Sequence, residues 1–499
     1  MNYCDFLFDT DGKYLDNEAI VDVEKGERFS FKELQNAVLK VADFLKSKGY
    51  EPGMVISTHL YNGAETAIVL LAAQYIGCVI CLIDPLYKAD ELPYYIEDSG
   101  SSCIVTHLKK KSVEDVYKGD VEIFEEEEIR QVYKNTDKSI CKKINMYEFD
   151  KDELAMLLYT SGSTSTPKAV MLSTGCYNVF LEKSNMSMYR YKNEDKLLCF
   201  VPFSHAFGSI SLLIPALAHK AAVVFLRSFH PLKVADTISK ENITHIYGVP
   251  THYKQLLRYE SNIKDLRKLK AAFCAAAPLS YDTAKLWFDK VGIYLDEGYG
   301  LSEACTLIAT RISKLPEPSG NVGFPPEGIL EIEAVNENGE VMEEGIIGEL
   351  RVRGKGLMLG YLNRPQETSE RMKDGWLYTG DFGYKRSNGS YVVCGRKTEF
   401  INVAGLKISP IEIEAALNSY PDVVDSAAFG VSDSLYGEVV KACVVLEEGA
   451  VVNERDLIKY LSGKIANFKL PKKIEFIDKL PRNNVGKIDK KALKSQKTM

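Results

Sequence analysis

Three stretches of this 499-residue chain gather side chains capable of binding or catalysis, and the first suits phosphate. The first runs Tyr159-Thr160-Ser161-Gly162-Ser163-Thr164-Ser165-Thr166-Pro167-Lys168. Apolar residues Leu154 to Leu158 precede it and Val170-Met171-Leu172 follow, which reads as strand, loop, strand. Hydroxyls and loop amides can hydrogen-bond phosphate oxygens, and Lys168 adds a point charge. The order differs from a Walker A loop, and taken alone such Ser/Thr/Gly clusters are more often solvated loops. The second stretch, Asp296 to Glu303, sets two glycines around Tyr299, whose ring can stack on a flat base, and ends in Ser302-Glu303. The third, Asp374-Gly375-Trp376-Leu377-Tyr378-Thr379-Gly380-Asp381, ends in a carboxylate. That group can accept two hydrogen bonds from a vicinal diol or simply close an Asx-turn.

The elements that must hold these residues follow from periodicity. Ser30-Phe31-Lys32-Glu33 is a capping box, and Leu34, Val38, Val41 and Leu45 fall on one helix face that Gly49 ends. Strands over Met54 to Leu60 and Cys78 to Ile83 bracket a helix over Ala64 to Tyr75. The alternation resumes after the loop, with strands near Lys196, Ala222, His245 and Ala271. Such alternation predicts an α/β fold with parallel-rich sheets covered by helices. From about Gly328 short β-like runs and Asn/Gly turns predict a small β-rich subdomain. Beyond Lys397, a second capping box at Ser409-Pro410-Ile411-Glu412, two strand-like runs and a helix predict a compact α+β unit. The expected division is residues 1–396 and 397–499.

Composition excludes several classes. A net charge of −7 offers no overall basic field for nucleic acid. The lysine runs at 109–111 and from Lys487 to Lys497, like the acidic run Glu125 to Glu128, read as solvated faces. The apolar stretch from Ala67 to Ile83 is broken by Gln74 and Gly77, so no transmembrane helix is expected. Eleven cysteines without a visible signal peptide predict reduced thiols and a cytoplasmic chain. Cys78 and Cys81 are three apart on a strand and project to opposite faces, so they should hold neither a metal nor a disulfide.

In order and spacing the motifs resemble those of the adenylate-forming superfamily: acyl-CoA synthetases, luciferases and the adenylation domains of nonribosomal peptide synthesis. The similarity runs from about Phe29 to Leu493. It implies that Thr160, Ser161, Gly162, Ser163, Thr164 and Lys168 grip the phosphates of ATP. Ala276, Ala277 and Pro278 match the adenine turn, and Gly298, Tyr299 and Gly300 continue that wall. By the same resemblance Ser302 faces phosphate, Glu303 holds Mg²⁺, Asp381 takes the ribose and Arg396 contacts the nucleotide. The closing motif Pro481 to Ile488 would bring Lys487 onto the reacting carboxylate, so Lys487, Lys168 and Glu303 are the catalytic candidates.

Pro202-Phe203-Ser204-His205-Ala206-Phe207-Gly208 matches the element beside the acyl pocket, with His205 and Phe207 as pocket residues. Amino-acid-activating relatives usually carry an Asp there; its lack favours a plain carboxylic acid. By the same resemblance Thr398 stands at the hinge, in place of the usual Asp or Lys, and Gly405 matches the hairpin that faces the thiol tunnel. Ser165 and Ala169 replace family glycines. The implied activity is ATP-dependent acid–thiol ligation with CoA as co-substrate and a mobile C-terminal domain. The rivals are a ligase that loads a separate carrier protein, a luciferase-like oxidase, and a nucleotide-binding regulator with a dead site.

Overall fold

A computed structural model describes residues 4–8, 12–135, 145–160, 166–182, 191–312, 314–433, 435–482 and 488–495. Two large sheets carry the bulk of the chain. The first orders Gly360–Tyr361, Lys168–Ser173, Leu154–Thr160, Val79–Leu82, Val55–His59, Ser101–Thr106 and Glu122–Glu125. The second orders Ala309–Arg311, Leu295–Tyr299, Ala271–Cys274, His245–Gly248, Lys196–Cys199, Ala222–Phe225, Glu18–Asp22 and Glu27–Ser30. Their central pairs are parallel, as expected; at the edges Gly360–Tyr361, Ala309–Arg311 and Glu27–Ser30 pair antiparallel, while Glu122–Glu125 is parallel. For Leu154–Thr160 and Lys168–Ser173 the pairing sense follows from loop length: a parallel return needs a crossover of about a dozen residues or more, and segment 161–167 is too short. Leu154–Thr160 and Lys168–Ser173 therefore form a hairpin, with Thr160 opposite Lys168.

The helix Phe31–Ser47 starts as its sequence dictates: Ser30 Oγ accepts the Glu33 amide at 3.2 Å and Glu33 accepts the Ser30 amide at 2.8 Å. The apolar helix Ala64–Tyr75 is buried on every side, which is why it shows no polar face. On the strand Val79–Leu82, neighbouring side chains enter different cores: Cys78, Ile80 and Leu82 join the main one, Val79, Cys81 and Ile83 a smaller one. The two thiols diverge accordingly.

The β-rich region is an antiparallel sheet of Asn321–Gly323, Tyr391–Arg396, Trp376–Lys385, Gly348–Gly354 and Leu330–Val335, with Met372–Lys373 at its side. Its inward residues, including Ile332, Leu350, Val352 and Leu377, belong to the main core. Gly360–Tyr361 leaves this region to extend the first sheet.

Residues beyond 400 pack around a core of their own, including Ile401, Ile413, Leu417, Val440, Leu457 and Ile474. Here the helix Pro410–Asn418 departs from expectation. The Ser409 hydroxyl donates to the Cys394 carbonyl rather than capping, and Glu412 pairs with Lys469 at 2.6 Å, so no capping box forms. The basic C-terminal run also differs from a uniformly solvated face: Lys490 lies between Glu414 and Glu399, at 2.8 and 3.2 Å.

Candidate functional site

The parallel strands of the second sheet end at a cavity of about 320 Å³. Such sheets present ligand crevices at that edge. One wall is the turn Ala276-Ala277-Pro278, whose small side chains leave backbone and a flat apolar surface exposed to the space. Gly298, Tyr299 and Gly300 form the floor. A Cβ on Gly300 would run into the Thr306 carbonyl, and one on Gly298 into the Phe273 ring, so only glycine fits on either side of Tyr299. Asp381 and Arg396 arrive from the β-rich sheet, while Ile411, Glu414, Asp425 and Lys490 arrive from beyond Thr398.

Asp381 is buried and already oriented. The Tyr299 hydroxyl donates to its Oδ2 at 2.5 Å, and Arg396 Nε lies 3.1 Å from Oδ1. The Asp381 amide donates to Thr379 Oγ1 at 3.1 Å, and Arg396 Nη1 donates to the Thr379 carbonyl at 3.2 Å. Burial, reinforced by the Asp381 charge, pushes the Tyr299 phenol well above its ordinary value, so it remains a donor. Burial works against the Arg396 charge, but Asp381 and Tyr299 outweigh it and hold the guanidinium above its ordinary value. A carboxylate fixed by a cation and a phenol at a cavity wall suits a diol.

A second group sits beside this cavity, outside its lining. Lys168 opens the strand Lys168–Ser173, pairs with Glu367 and lies over the Tyr361 ring at 5.6 Å. The Tyr361 hydroxyl donates to Glu303 Oε1 at 2.7 Å, which joins the Lys168 strand to the short turn Ser302–Ala304. Burial and then Arg371 press the Lys168 ammonium below its usual value, while Glu303 opposes them. Among the described residues no three His, Cys, Asp or Glu side chains converge as a metal cage. Glu303 therefore fits Mg²⁺ in one manner: as a single hard-oxygen ligand, with phosphate and water supplying the rest.

The remaining sequence candidates are placed as follows. His205 Nε2 lies 3.4 Å from Asp84 Oδ2, within ion-pair reach but without hydrogen-bond geometry. Phe207 packs on Tyr247 and Phe273, with ring centroids 5.9 and 6.0 Å away. Thr160 ends its strand, Thr398 lies in the turn Lys397–Glu399, and Gly405 sits at a hairpin tip with φ +86°. Ser161, Gly162, Ser163, Thr164 and Lys487 lie outside the described residues.

Sequence reasoning missed several residues that the fold brings in. Glu297 and Arg311 form a buried ion pair at 2.8 Å against the cavity wall. Tyr361 and Glu367 reach Lys168 only through the antiparallel strand Gly360–Tyr361 and the helix Pro365–Arg371. Lys490 gave a faint signal, being in a motif-bearing tail, but a lysine among lysines reads as surface.

The description AMP-binding enzyme matches residues 7–362, and AMP-binding enzyme C-terminal domain matches residues 412–487. The long-chain-fatty-acid–CoA ligase of Bacillus subtilis (strain 168) is 31% identical, over 99% of this chain and 94% of its own length. The crystal structure of ATP-bound MatB from Rhodopseudomonas palustris superposes with a TM-score of 0.90 at 27% identity, covering 99% of this chain and 98% of that one. The o-succinylbenzoate coenzyme A synthetase of Bacillus subtilis, in complex with ATP and magnesium ion, superposes at 0.84 with 26% identity, covering 99% and 98%. Cavity, motif order and full-length similarity agree, and the chain belongs to the AMP-binding enzyme family, in the adenylate-forming superfamily.

Proposed function

We propose that this protein is an AMP-forming acid–thiol ligase: it adenylates a carboxylic acid with ATP, releases pyrophosphate, and transfers the acyl group to CoA with release of AMP. The observation that carries this is the cavity in which Asp381, Tyr299 and Arg396 meet the turn 276–278. The adenine ring lies along that turn and against Tyr299, the ribose diol on Asp381. Arg396 contacts the nucleotide and Lys168 faces phosphate. The acid carboxylate attacks the α-phosphorus in line, pyrophosphate leaves, and the mixed anhydride that results is itself the activated acyl group, so no protein nucleophile is required. Catalysis reduces to positioning and to neutralising anionic oxygens. Mg²⁺, held by Glu303 and the phosphates, would add charge neutralisation there. The thiolate of CoA then attacks the acyl carbon and AMP leaves.

The two half-reactions need different access to the acyl carbon. We place domains at 1–396 and 397–499, turning near Thr398, with the separate core beyond residue 400 as support. We also assign Ser161, Gly162, Ser163, Thr164 and Ser302 to phosphate, His205 and Phe207 to the acyl pocket, Gly405 to the thiol tunnel and Lys487 to the reacting carboxylate. Among the described residues no helix is long and apolar enough to cross a membrane. A cytoplasmic location is our reading, supported by described cysteines that are all free thiols.

The test supplies ATP, Mg²⁺ and a panel of fatty and aromatic acids, with CoA or a phosphopantetheinylated carrier protein. Acyl-CoA and AMP should accumulate in equal amounts with at least one acid. Pyrophosphate release whose acyl product only the carrier can discharge would shift the acceptor. No ATP turnover with any acid would favour the regulator.

A further inference from the structure

Glu297 and Arg311 are both buried, 1% and 5% exposed, at the margin of the cavity. Glu297 divides its oxygens: Oε1 accepts the Leu279 amide at 3.1 Å, and Oε2 accepts Arg311 Nη2 at 2.8 Å. Arg311 Nε donates to the Asn321 carbonyl at 2.9 Å, and Asn321 Oδ1 in turn accepts the Gly323 amide at 3.1 Å. One guanidinium thereby ties the turn that ends at Leu279 to the segment Gly320–Val322, and both segments border the cavity. Arg311 Nη1 has no hydrogen-bond partner among the described residues, so orientation rests on the other two nitrogens.

The turn needs such a tie. Ala276 has φ +68°, a left-handed conformation that costs a residue with a Cβ free energy and persists only where its surroundings enforce it. One end is held by backbone, the Ala275 amide donating to the Gly248 carbonyl at 3.1 Å. The other end is held by the Glu297 side chain, whose own place depends on Arg311. Lysine cannot replace this arginine, because a single ammonium does not make two fixed contacts in a planar fork.

We infer that Arg311 is a positioning residue for nucleotide selection: acting through Glu297, it holds the strained turn Ala276–Leu279 in the shape that receives the nucleobase. The inference rests on the reading of the cavity as the adenosine site. The experiment compares wild type with Arg311→Lys, measuring equilibrium binding of ATP and of inorganic tripolyphosphate, and KM for ATP and for the acid. Tripolyphosphate carries the anionic part of ATP without the base. Arg311→Lys should weaken ATP binding and raise its KM about tenfold, the effect of one lost charge-assisted hydrogen bond. Tripolyphosphate affinity and the KM for the acid should stay within about twofold of wild type. Equal weakening of ATP and tripolyphosphate, or unchanged ATP binding, would overturn the assignment. Wild-type protein that binds no ATP would remove the adenosine reading and this inference together, whereas a normal wild type beside an unaffected variant removes only the inference. Should Arg311→Lys fail to fold, Glu297→Gln carries the same comparison, since its amide oxygen still accepts from Leu279 while the anchor to Arg311 is weakened.

Discussion

Asp381 spends its carboxylate on Tyr299 and Arg396 and still borders the cavity, so its charge and its direction are set before a ligand arrives. Asp381→Asn keeps the volume and removes the anion. The KM for ATP should rise by roughly ten- to a hundredfold at saturating acid, read from pyrophosphate release, with thermal stability little changed. Lys487→Ala should slow adenylate formation by roughly 10²–10³-fold, the scale for a lost transition-state donor. Thioester formation from supplied acyl-adenylate should fall much less; equal loss in both halves would exclude a lysine that serves only the first. The thiols give a residue-scale check of a different kind. Burial pushes Cys78 and Cys81 up to about 12, so both stay protonated near neutrality. Native protein should leave them unlabelled by a thiol-specific disulfide reagent that modifies both in urea. Their divergence was legible from strand alternation alone, because a period of two is local geometry. The Glu297–Arg311 pair was not, since nothing in Glu297's neighbourhood in sequence points to a residue on the next strand.

At the scale of elements, the C-terminal unit is organised by a charge cluster. Glu414 accepts the Ala428 amide at 2.9 Å and receives Lys490, which also reaches Glu399 beside the proposed hinge. Burial works against the lysine charge, yet Glu414 and Glu399 prevail and hold Lys490 above its ordinary value. Lys490→Met leaves Glu414 without its cation and should cost about 3 kcal/mol in urea unfolding of that unit. Adding Glu414→Gln should recover most of it, as removing both members of a buried pair costs less than removing one. Among elements, the long strands and the helices Phe31–Ser47 and Ala64–Tyr75 were legible because burial repeats at their own period. The cap at Ser409 was not. Its hydroxyl has two possible acceptors or donors within reach, and the Cys394 carbonyl, supplied by a strand from the other side of Thr398, wins over the local amide.

For the molecule as a whole, histidines that the fold keeps neutral make one contribution to acid sensitivity. His59 and His245 are buried, and desolvation lowers both from 6.5 to about 4. The unfolded chain therefore takes up these protons first as pH falls. Stability from this source is full above 6.5, declines between 6.5 and about 4, and levels off below. By pH 5 each histidine should have removed about 2 kcal/mol, visible as a falling urea midpoint between pH 7.5 and 5. His59→Gln should flatten part of that slope. The overall architecture was legible from strand–helix alternation, but the antiparallel edges were hidden, because pairing sense depends on connection length rather than on any residue's preference.

The cavity draws its walls from both sides of Thr398, and the two sides keep separate cores. A nucleotide lodged there acts as a removable cross-link. In the language of thermodynamic linkage, ligand at a hundred times its Kd deepens the bound arrangement by about 2.7 kcal/mol. Under the proposed division near Thr398, that free energy would reside in the relative placement of the two parts and not inside either one. Amide exchange should consequently slow with ATP at the seam, around the Lys254–Val424 and Arg258–Glu447 contacts, while the interior of each core exchanges as before.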